Sequence, residues 1–477
     1  SDHGQRQSQT NKKHPKPQGY PHTFISTPFL QINESLEVCK KRDRTIRREK
    51  PKEYPTNMKS NIMQKSLVSR KPSRQRRNLA IATWEGVPST IFQTLLGGQF
   101  LTGFLLYLGA NSAQIGFVLA ITTFVNIAQI AVAYLIQRLT SRKWALVLFV
   151  GLHRILWGAT GLVPFVLPHQ YWVTGFIALY IAAFIFNTVG AMLWNSLISD
   201  IVPARVRGRY FGIRNTFLNA LNTLVMFLGG MVLDHYPEAQ GFFYLYIVIW
   251  ICAIANIIVF MFYPDAAFER SAESKFMPML RKPLQDGAFM KATLFLAGFL
   301  LLQNLVVPLY SYVMLELLNI NYQTISLLNV TQTIFMMASF YVWGNLNARY
   351  SNRRLLFWTL PIIALAILCW GGLSILPVLP VLFLAHMIFG VGVGGFNQLA
   401  FNFMIGDTPK SERPMYMAMY SAITGVASFF GPLIGGQVLE WIESWPLWTQ
   451  IFGMQLIVGA SMIVLAASFG RKILRDA

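Results

Sequence analysis

Ala133-Tyr-Leu-Ile-Gln-Arg-Leu-Thr-Ser-Arg-Lys143 is written twice in this chain. Its degenerate second copy is Gly344-Asn-Leu-Asn-Ala-Arg-Tyr-Ser-Asn-Arg-Arg354, and the basic positions coincide: Arg138 with Arg349, Arg142 with Arg353, Lys143 with Arg354. Both copies are polar interruptions between apolar stretches. Outward from them the match continues. Leu108-Gly-Ala-Asn111 meets Leu318-Asn-Ile-Asn321, Tyr210 meets Tyr416, and Leu228-Gly-Gly-Met-Val-Leu-Asp234 meets Ile434-Gly-Gly-Gln-Val-Leu-Glu440. Matches in this order describe a parallel repeat, two halves related by an axis along a membrane normal.

From Leu79 onward the chain is a relay of about twelve apolar spans of roughly twenty residues, the length that crosses a bilayer as a helix. The connections alternate. Odd-numbered loops carry no Lys or Arg: Asn111 to Gln114, Pro168 to Trp172, Asp234 to Gln240, Asn319 to Gln323, Leu376 to Pro380, Glu440 to Pro446. Even-numbered loops are basic, with Arg205, Arg207 and Arg209, then Arg270, Lys275, Arg281 and Lys282, and Lys410 and Arg413 joining the repeated motif. Cationic loops stay cytosolic during insertion, so both termini are expected in the cytosol.

Composition excludes a soluble domain: 54% of residues are hydrophobic and only 13% charged. The formal net charge of +20 would suggest nucleic acid in a soluble protein. Here residues 1–78 alone hold 19 Lys+Arg against 6 Asp+Glu, and most of the remaining excess lies in the even loops. The charge therefore reads as topology plus a solvated tail, and no nucleic-acid partner is expected. That tail, rich in Gln, Lys, Arg, Pro and Ser with no apolar period, is expected to be disordered, and no apolar h-region marks a signal peptide. Cys39, Cys252 and Cys369 lack metal-ligand spacing. No metal and no cofactor are expected.

These features resemble the major facilitator superfamily of secondary transporters. The family's loop after the second span reads roughly G-x-L-x-D-R-x-G-R-R/K. The first copy keeps Leu135 and Arg138, with Arg142 and Lys143 one residue late and Gln137 at the acid's place; the second keeps Gly344, Leu346 and Arg349, with Arg353 and Arg354 late and Ala348 at the acid's place. Residues 200–215 are similar to the family's loop between spans four and five. The Arg of proton-coupled drug antiporters is absent from span four, and the sugar-porter linker pattern is absent from 263–291. The run Gly431-Pro432-Leu-Ile-Gly435-Gly436 falls in span eleven, where close helix packing is expected of it. The resemblance implies an all-α membrane protein of twelve transmembrane helices in two pseudo-symmetric six-helix bundles, 79–262 and 292–470, joined by a cytosolic linker over 263–291 and followed by a short tail over 471–477.

Ionisable groups at bilayer depth are expensive, so each is a functional candidate. Glu85 opens a polar stripe with Ser89 and Gln93 on one helix face, and Gly86, Pro88, Gly97 and Gly98 make that helix easy to bend. Arg154, with His153 beside it, lies about 16 Å in from Lys143, and Glu85 about 12 Å in from Arg77, at the helical rise per residue. A Glu85–Arg154 ion pair and a substrate contact are equally open readings. His153 reads as a packing residue. The amides are Asn187 and Asn195 on span four, Asn215, Asn219 and Asn222 on span five, Gln303 and Asn304 on span seven, and Asn397, Gln398 and Asn402 on span ten, with His386 nearby. By resemblance, spans one, four, seven and ten line a central cavity, which would then be polar and nearly uncharged, suited to a neutral or amphipathic solute. Asp200 and Asp407 close spans four and ten. With Arg138, Arg142, Lys143, Arg349, Arg353 and Arg354 they form an expected cytosolic gate.

The function expected is secondary active transport of a small solute by alternating access in a multi-pass monomer in the lipid bilayer, with protons as candidate coupling ions through Glu85. A non-transporting membrane sensor of the same fold is one alternative. A membrane-embedded acyltransferase using His153 or His386 is another, but no Asp or Glu neighbours either His in sequence, and a non-enzyme is expected.

Overall fold

The computed structural model describes residues 74–123, 141–202, 207–236, 239–264, 276–347, 349–406 and 413–474. All belong to one compact unit, residues 72–477. The segment 1–73, with nearly all of the expected tail, lies outside the described residues.

Ten described helices are long and apolar enough to cross a membrane. They are spans three to six, Arg142–Val166, His169–Ile198, Ile213–His235 and Ala239–Met261, and spans seven to twelve, Gly287–Leu317, Tyr322–Asn347, Asn352–Ser374, Val378–Ala400, Tyr416–Trp441 and Thr449–Ile473. Span two is described over Ser112–Thr123. Span one runs in three pieces, Arg74–Trp84, Gly86–Leu95 and Gly98–Tyr107. Large apolar side chains such as Ile251, Val342 and Ile457 stand exposed on the outside, as lipid contact requires. Short polar residues start the helices: Ser141 accepts from Trp144 N–H, Ser351 from Arg354 N–H, and Asp286 from Phe289 N–H.

The first helix of each half is broken at corresponding points. Span one breaks at Leu96-Gly97-Gly98, where Gly98 takes φ +52°, a conformation that costs any side chain. Span seven loosens to a 3-10 turn at Val307-Pro308-Leu309, since Pro308 lacks the N–H that would continue the α-helix. The register that matches Leu108 with Leu318 places these two breaks opposite one another in the repeat. The outer piece Gly98–Tyr107 then packs on the Tyr310–Tyr312 turn and on span eight.

Two diglycines join the bundles at the Lys/Arg-free face. In span five, a Cβ on Gly229 would press on Leu95 and Phe100 of span one, and one on Gly230 would meet Ser326 and Gln323 of span eight. In span eleven, Gly435 lies against Leu305 of span seven, and Gly436 crosses Gly116 and Ser112 of span two. So the first glycine of each pair admits the broken helix of its own bundle, and the second admits a helix of the other bundle. The span-eleven run thus serves close packing, as expected. One turn beyond each pair stands an acid. Asp234 accepts from the backbone N–H groups of Tyr322 (2.9 Å) and Gln323 (2.8 Å), the opening donors of span eight. Glu440 accepts from Asn111 Nδ2 (2.8 Å) just before span two, while Ser112 Oγ donates to the Gly436 carbonyl (3.2 Å).

Asp234 caps span eight from the opposite bundle, and Glu440 accepts a side-chain hydrogen bond from Asn111 of the opposite bundle, each an interaction of about 1 kcal/mol. Replacing both, Asp234→Ala with Glu440→Ala, should change the open-to-closed ratio at this face by more than about tenfold. Spin labels at the exposed residues Gln240 and Ser444 should then show a longer distance than in the parent protein. An unchanged distance distribution would mean that glycine packing alone holds the face shut.

Candidate functional site

A cavity of about 520 Å³ lies where the broken span one faces spans five, seven and eight. Span one lends Thr90, Gln93, Thr94 and Gln99, span five Asn219, Asn222 and Met226, and the other bundle Ser311, Asn329, Gln332 and Thr333. Its polar groups bond one another. Thr94 Oγ1 donates to Asn222 Oδ1 (2.6 Å), and Asn329 Nδ2 donates to Gln99 Oε1 (3.0 Å) across the bundle seam. Gln99 Nε2 in turn donates to Ser326 Oγ (2.5 Å) and to the Tyr322 carbonyl (3.1 Å), while Ser326 Oγ donates to the Met226 carbonyl (2.9 Å). Gln99 is only 2% exposed, so this network satisfies an amide that hydrocarbon would otherwise leave unpaired.

A second cavity of about 330 Å³ lies within the first bundle and shares Thr90, Gln93 and Leu218 with the first as a common wall. Glu85, Ser89, His153, Arg154, Asn187, Asn195, Trp194 and Arg214 line it. Glu85, Arg154 and Arg214 are all buried. Arg214 Nη2 pairs with Glu85 Oε2 at 3.4 Å, and Arg214 Nε donates to the Ala82 carbonyl (3.2 Å). Asn256, wholly buried, stands between the charges. Its Nδ2 donates to the Glu85 carbonyl (3.1 Å) and to Glu85 Oε1 (3.3 Å), and its Oδ1 accepts from Arg154 Nε (3.1 Å). Arg154 Nη2 donates to Ser89 Oγ (2.8 Å), and its guanidinium lies over the Phe92 ring at 4.5 Å. Arg214 lies over Trp194 at 5.1 Å.

Two expectations change here. Glu85 makes its ion pair with Arg214, and Arg154 reaches it only through Asn256, because counting residues along a helix gives depth but not azimuth. The cavity system is not nearly uncharged either: one carboxylate and two guanidinium groups line its inner part. His153 behaves as read, its Nδ1 3.0 Å from the Ala183 carbonyl and its ring among Phe92, Trp157 and Phe184.

Of the residues singled out in the sequence, Glu85, Ser89, Gln93, Arg154, Asn187, Asn195, Asn219 and Asn222 line one or both cavities. Gln303, Asn304, Asn397 and Gln398 line neither. Asn304 instead donates to the Leu300 carbonyl (2.8 Å) and to Ser428 Oγ (3.3 Å) of span eleven, tying two helices together. Spans three, five and eight, rather than span ten, complete these walls. Sequence reasoning passed over Gln99, Asn256, Ser311, Asn329, Gln332 and Thr333. The available signal was an amide or hydroxyl inside an apolar span, the same signal that marked Gln93. Of the gate residues, Arg142 is buried and donates to Ser196 Oγ (2.7 Å), Arg353 lies over Phe403 at 5.5 Å, and Arg354 over Tyr350 and Trp358. Lys143 lies over Trp144 at 5.3 Å, and Arg349 is exposed after span eight. Arg138 and Asp407, and the side chains of Asp200 and Asn402, lie outside the described residues.

The model of the Major Facilitator Superfamily matches residues 86–306 and again 292–473. An uncharacterized MFS-type transporter of Methanocaldococcus jannaschii is 26% identical over 258 residues, covering 52% of this chain and 62% of the relative. A similar protein of Bacillus subtilis, also an uncharacterized MFS-type transporter, is 26% identical over 142 residues, 29% of this chain and 25% of its own length. The matches thus span less than two thirds of these relatives. Among solved structures, a mutant of the nucleoside transporter NupG superposes with a TM-score of 0.66 at 14% identity, over 84% of this chain and all of that one. A D-xylose-proton symporter superposes at 0.65 and 14% identity, over 83% of this chain and 97% of its own. At such identity these likenesses show the fold. The chain belongs to the Major Facilitator Superfamily and is a multi-pass membrane protein of that fold.

The charge arrangement predicts an asymmetric response to neutralisation. Arg214→Gln leaves one carboxylate facing one guanidinium, whereas Glu85→Gln leaves two buried guanidinium groups facing no carboxylate. Breaking a buried pair costs about 3–5 kcal/mol when a charge is stranded. Thermal unfolding of purified protein should therefore show Glu85→Gln as the more destabilised variant, with Arg214→Gln intermediate. Equal losses would mean that Arg154 does not sense Glu85.

Proposed function

We propose that this member of the superfamily is a secondary transporter that carries a small amphipathic solute by alternating access. The observation that carries this reading is the cavity of about 520 Å³ between the bundles. Its volume falls in the range of small-molecule sites, about 300–1,000 Å³. Both bundles furnish its polar groups, so a bound solute would feel any rocking of one bundle on the other. Gln99 and Met226 of its lining are bonded to the turn of span eight that Gly230 crosses, so the cavity is bounded on the Lys/Arg-free side.

The basic loops support a cytosolic setting for the opposite face and for both termini. In the complementary state, Arg138, Arg142, Lys143, Arg349, Arg353 and Arg354 would meet Asp200 and Asp407 and close that face. Glu85 is the one carboxylate among the described residues lining either cavity, which makes it the candidate coupling group. A structural neighbour named as a proton symporter supports protons as the coupling ion.

A ligand that occupies the native cavity raises the melting temperature, by about 2.7 kcal/mol of stability at a hundredfold excess over Kd. Purified protein should be screened in this way against sugars, nucleosides, amino acids, drugs and lysolipids. At least one class should stabilise the parent protein, and Asn222→Ala and Gln332→Ala, one from each bundle, should both weaken that shift. A ligand that ignores both substitutions would place binding elsewhere and overturn this reading.

A further inference from the structure

Arg154 is a buried cation that shares one carboxylate, Glu85, with Arg214 and reaches it only through Asn256, so two guanidinium groups face one negative charge. Glu85 is engaged by Arg214 through Oε2 and by Asn256 through Oε1, and the groups that Arg154 touches, Asn256 Oδ1 and Ser89 Oγ, are neutral. Among the described residues nothing hydrogen-bonds its remaining terminal nitrogen, Nη1. Yet Arg154 is only 5% exposed, and the surface it shows forms part of the wall of the 330 Å³ cavity. A guanidinium held out of water without a counter-charge costs several kcal/mol. Neutral acceptors on Nε and Nη2 position it, and the Phe92 face beneath holds its plane, but neither cancels the charge.

The repeat sharpens the point. The diglycines, the acids beyond them and the helix breaks all occur twice. Among the described residues the charged cluster occurs once. Carried forward from the Tyr210–Tyr416 match, Arg214 corresponds to Tyr420; carried forward from Arg142–Arg353, Arg154 corresponds to Leu365. A device needed to build or rock the bundles would be expected in both halves. A device that recognises cargo is needed once.

We infer that the cavity of the first bundle is an anion subsite, and that the cargo is a small organic monocarboxylate whose carboxylate seats on the Nη1 edge of Arg154. One uncompensated guanidinium matches one negative charge; a dianion would leave a charge over. Around it the cavity offers Val150, Leu218, Phe260 and the Trp194 ring, surfaces for an apolar body, while Thr90 and Gln93 lead to the inter-bundle cavity. This inference rests on the transport reading and narrows its cargo from a neutral or amphipathic solute to an amphipathic anion.

The test uses the full-length protein in detergent and matched pairs: benzoate with benzamide, octanoate with octanamide, and an N-acetyl amino acid with its amide. Binding is followed by thermal shift and by quenching of tryptophan fluorescence. At least one carboxylate should bind more tightly than its amide by roughly tenfold to a hundredfold, the range for a hydrogen bond to a charged group. Arg154→Gln should erase that preference, so that the carboxylate binds no more tightly than its amide. Arg154→Lys keeps the charge with a single donor site, and should keep part of the preference. Amides that bind as well as their acids, or a preference that survives Arg154→Gln, would overturn the anion subsite. If neutral solutes shift the melting temperature through Asn222 and Gln332 and no carboxylate does, the anion subsite fails and the transport reading stands. If no compound of any class binds, both fail.

Discussion

The close crossing of glycines at one face is the constraint on which the remainder of the fold depends. In lipid there is little hydrophobic drive between helices, and association rests on packing and on interhelical hydrogen bonds. Gly230 lets span five lie against the first turn of span eight, and Gly436 lets span eleven lie against span two near Gly116. Backbones this close bring Asp234 to the free N–H groups of Tyr322 and Gln323, and Glu440 to Asn111. The acid and the glycine are four residues apart, so they share a helix face. Helices pinned at one end and free to diverge toward the other leave space between them. The polar side chains of spans one, five and eight occupy the margin of that space.

The same pairs explain why the first helix of each half is broken. Gly229 and Gly435 draw spans one and seven against spans five and eleven near Leu95–Phe100 and Leu305–Leu309. Past the breaks the two helices meet, Gly98–Tyr107 packing on the Tyr310–Tyr312 turn of the partner bundle. Gly98 in the left-handed region and Pro308 with its missing donor solve one geometric problem by two chemistries. The sequence match between Leu228–Asp234 and Ile434–Glu440 was therefore legible as homology between halves. Which glycine faces which bundle was not, because adjacent residues on a helix point about 100° apart and a sequence carries no azimuth.

The same limit governs what was readable of the site. Glu85, Ser89, Gln93 and Arg154 stand out in a sequence because they are polar in apolar surroundings. Arg214 stands out less, since it follows Arg205, Arg207 and Arg209, and the sequence marks it only as a second cation at the edge of the lipid core; the structure shows it 8% exposed over Trp194. Asn256 lies in the run Ile251–Ile258, where an isolated amide reads as packing. Its role comes from orientation: the donor end meets Glu85 and the acceptor end meets Arg154. Gln99 and Asn329 were equally visible letters, but they find each other across the seam between halves, 230 residues apart.

Symmetry then separates the parts by purpose. Crossings, acids bonded to the opposite bundle and helix breaks occur in both halves, as the proposed motion toward either membrane face would require. Among the described residues, the buried charges occur in the first half only. In the first bundle a carboxylate, an amide and two guanidinium groups converge on a cavity; at the matching places of the second stand Tyr420 and Leu365, a ring and an aliphatic chain. A low-dielectric interior makes such a cluster costly, and packing alone would be served better by the tyrosine and leucine of the other half. The cluster's persistence on one side is understood once the missing counter-charge is assigned to the cargo. On the proposed transport reading, two matching halves move and a single charge selects what moves with them.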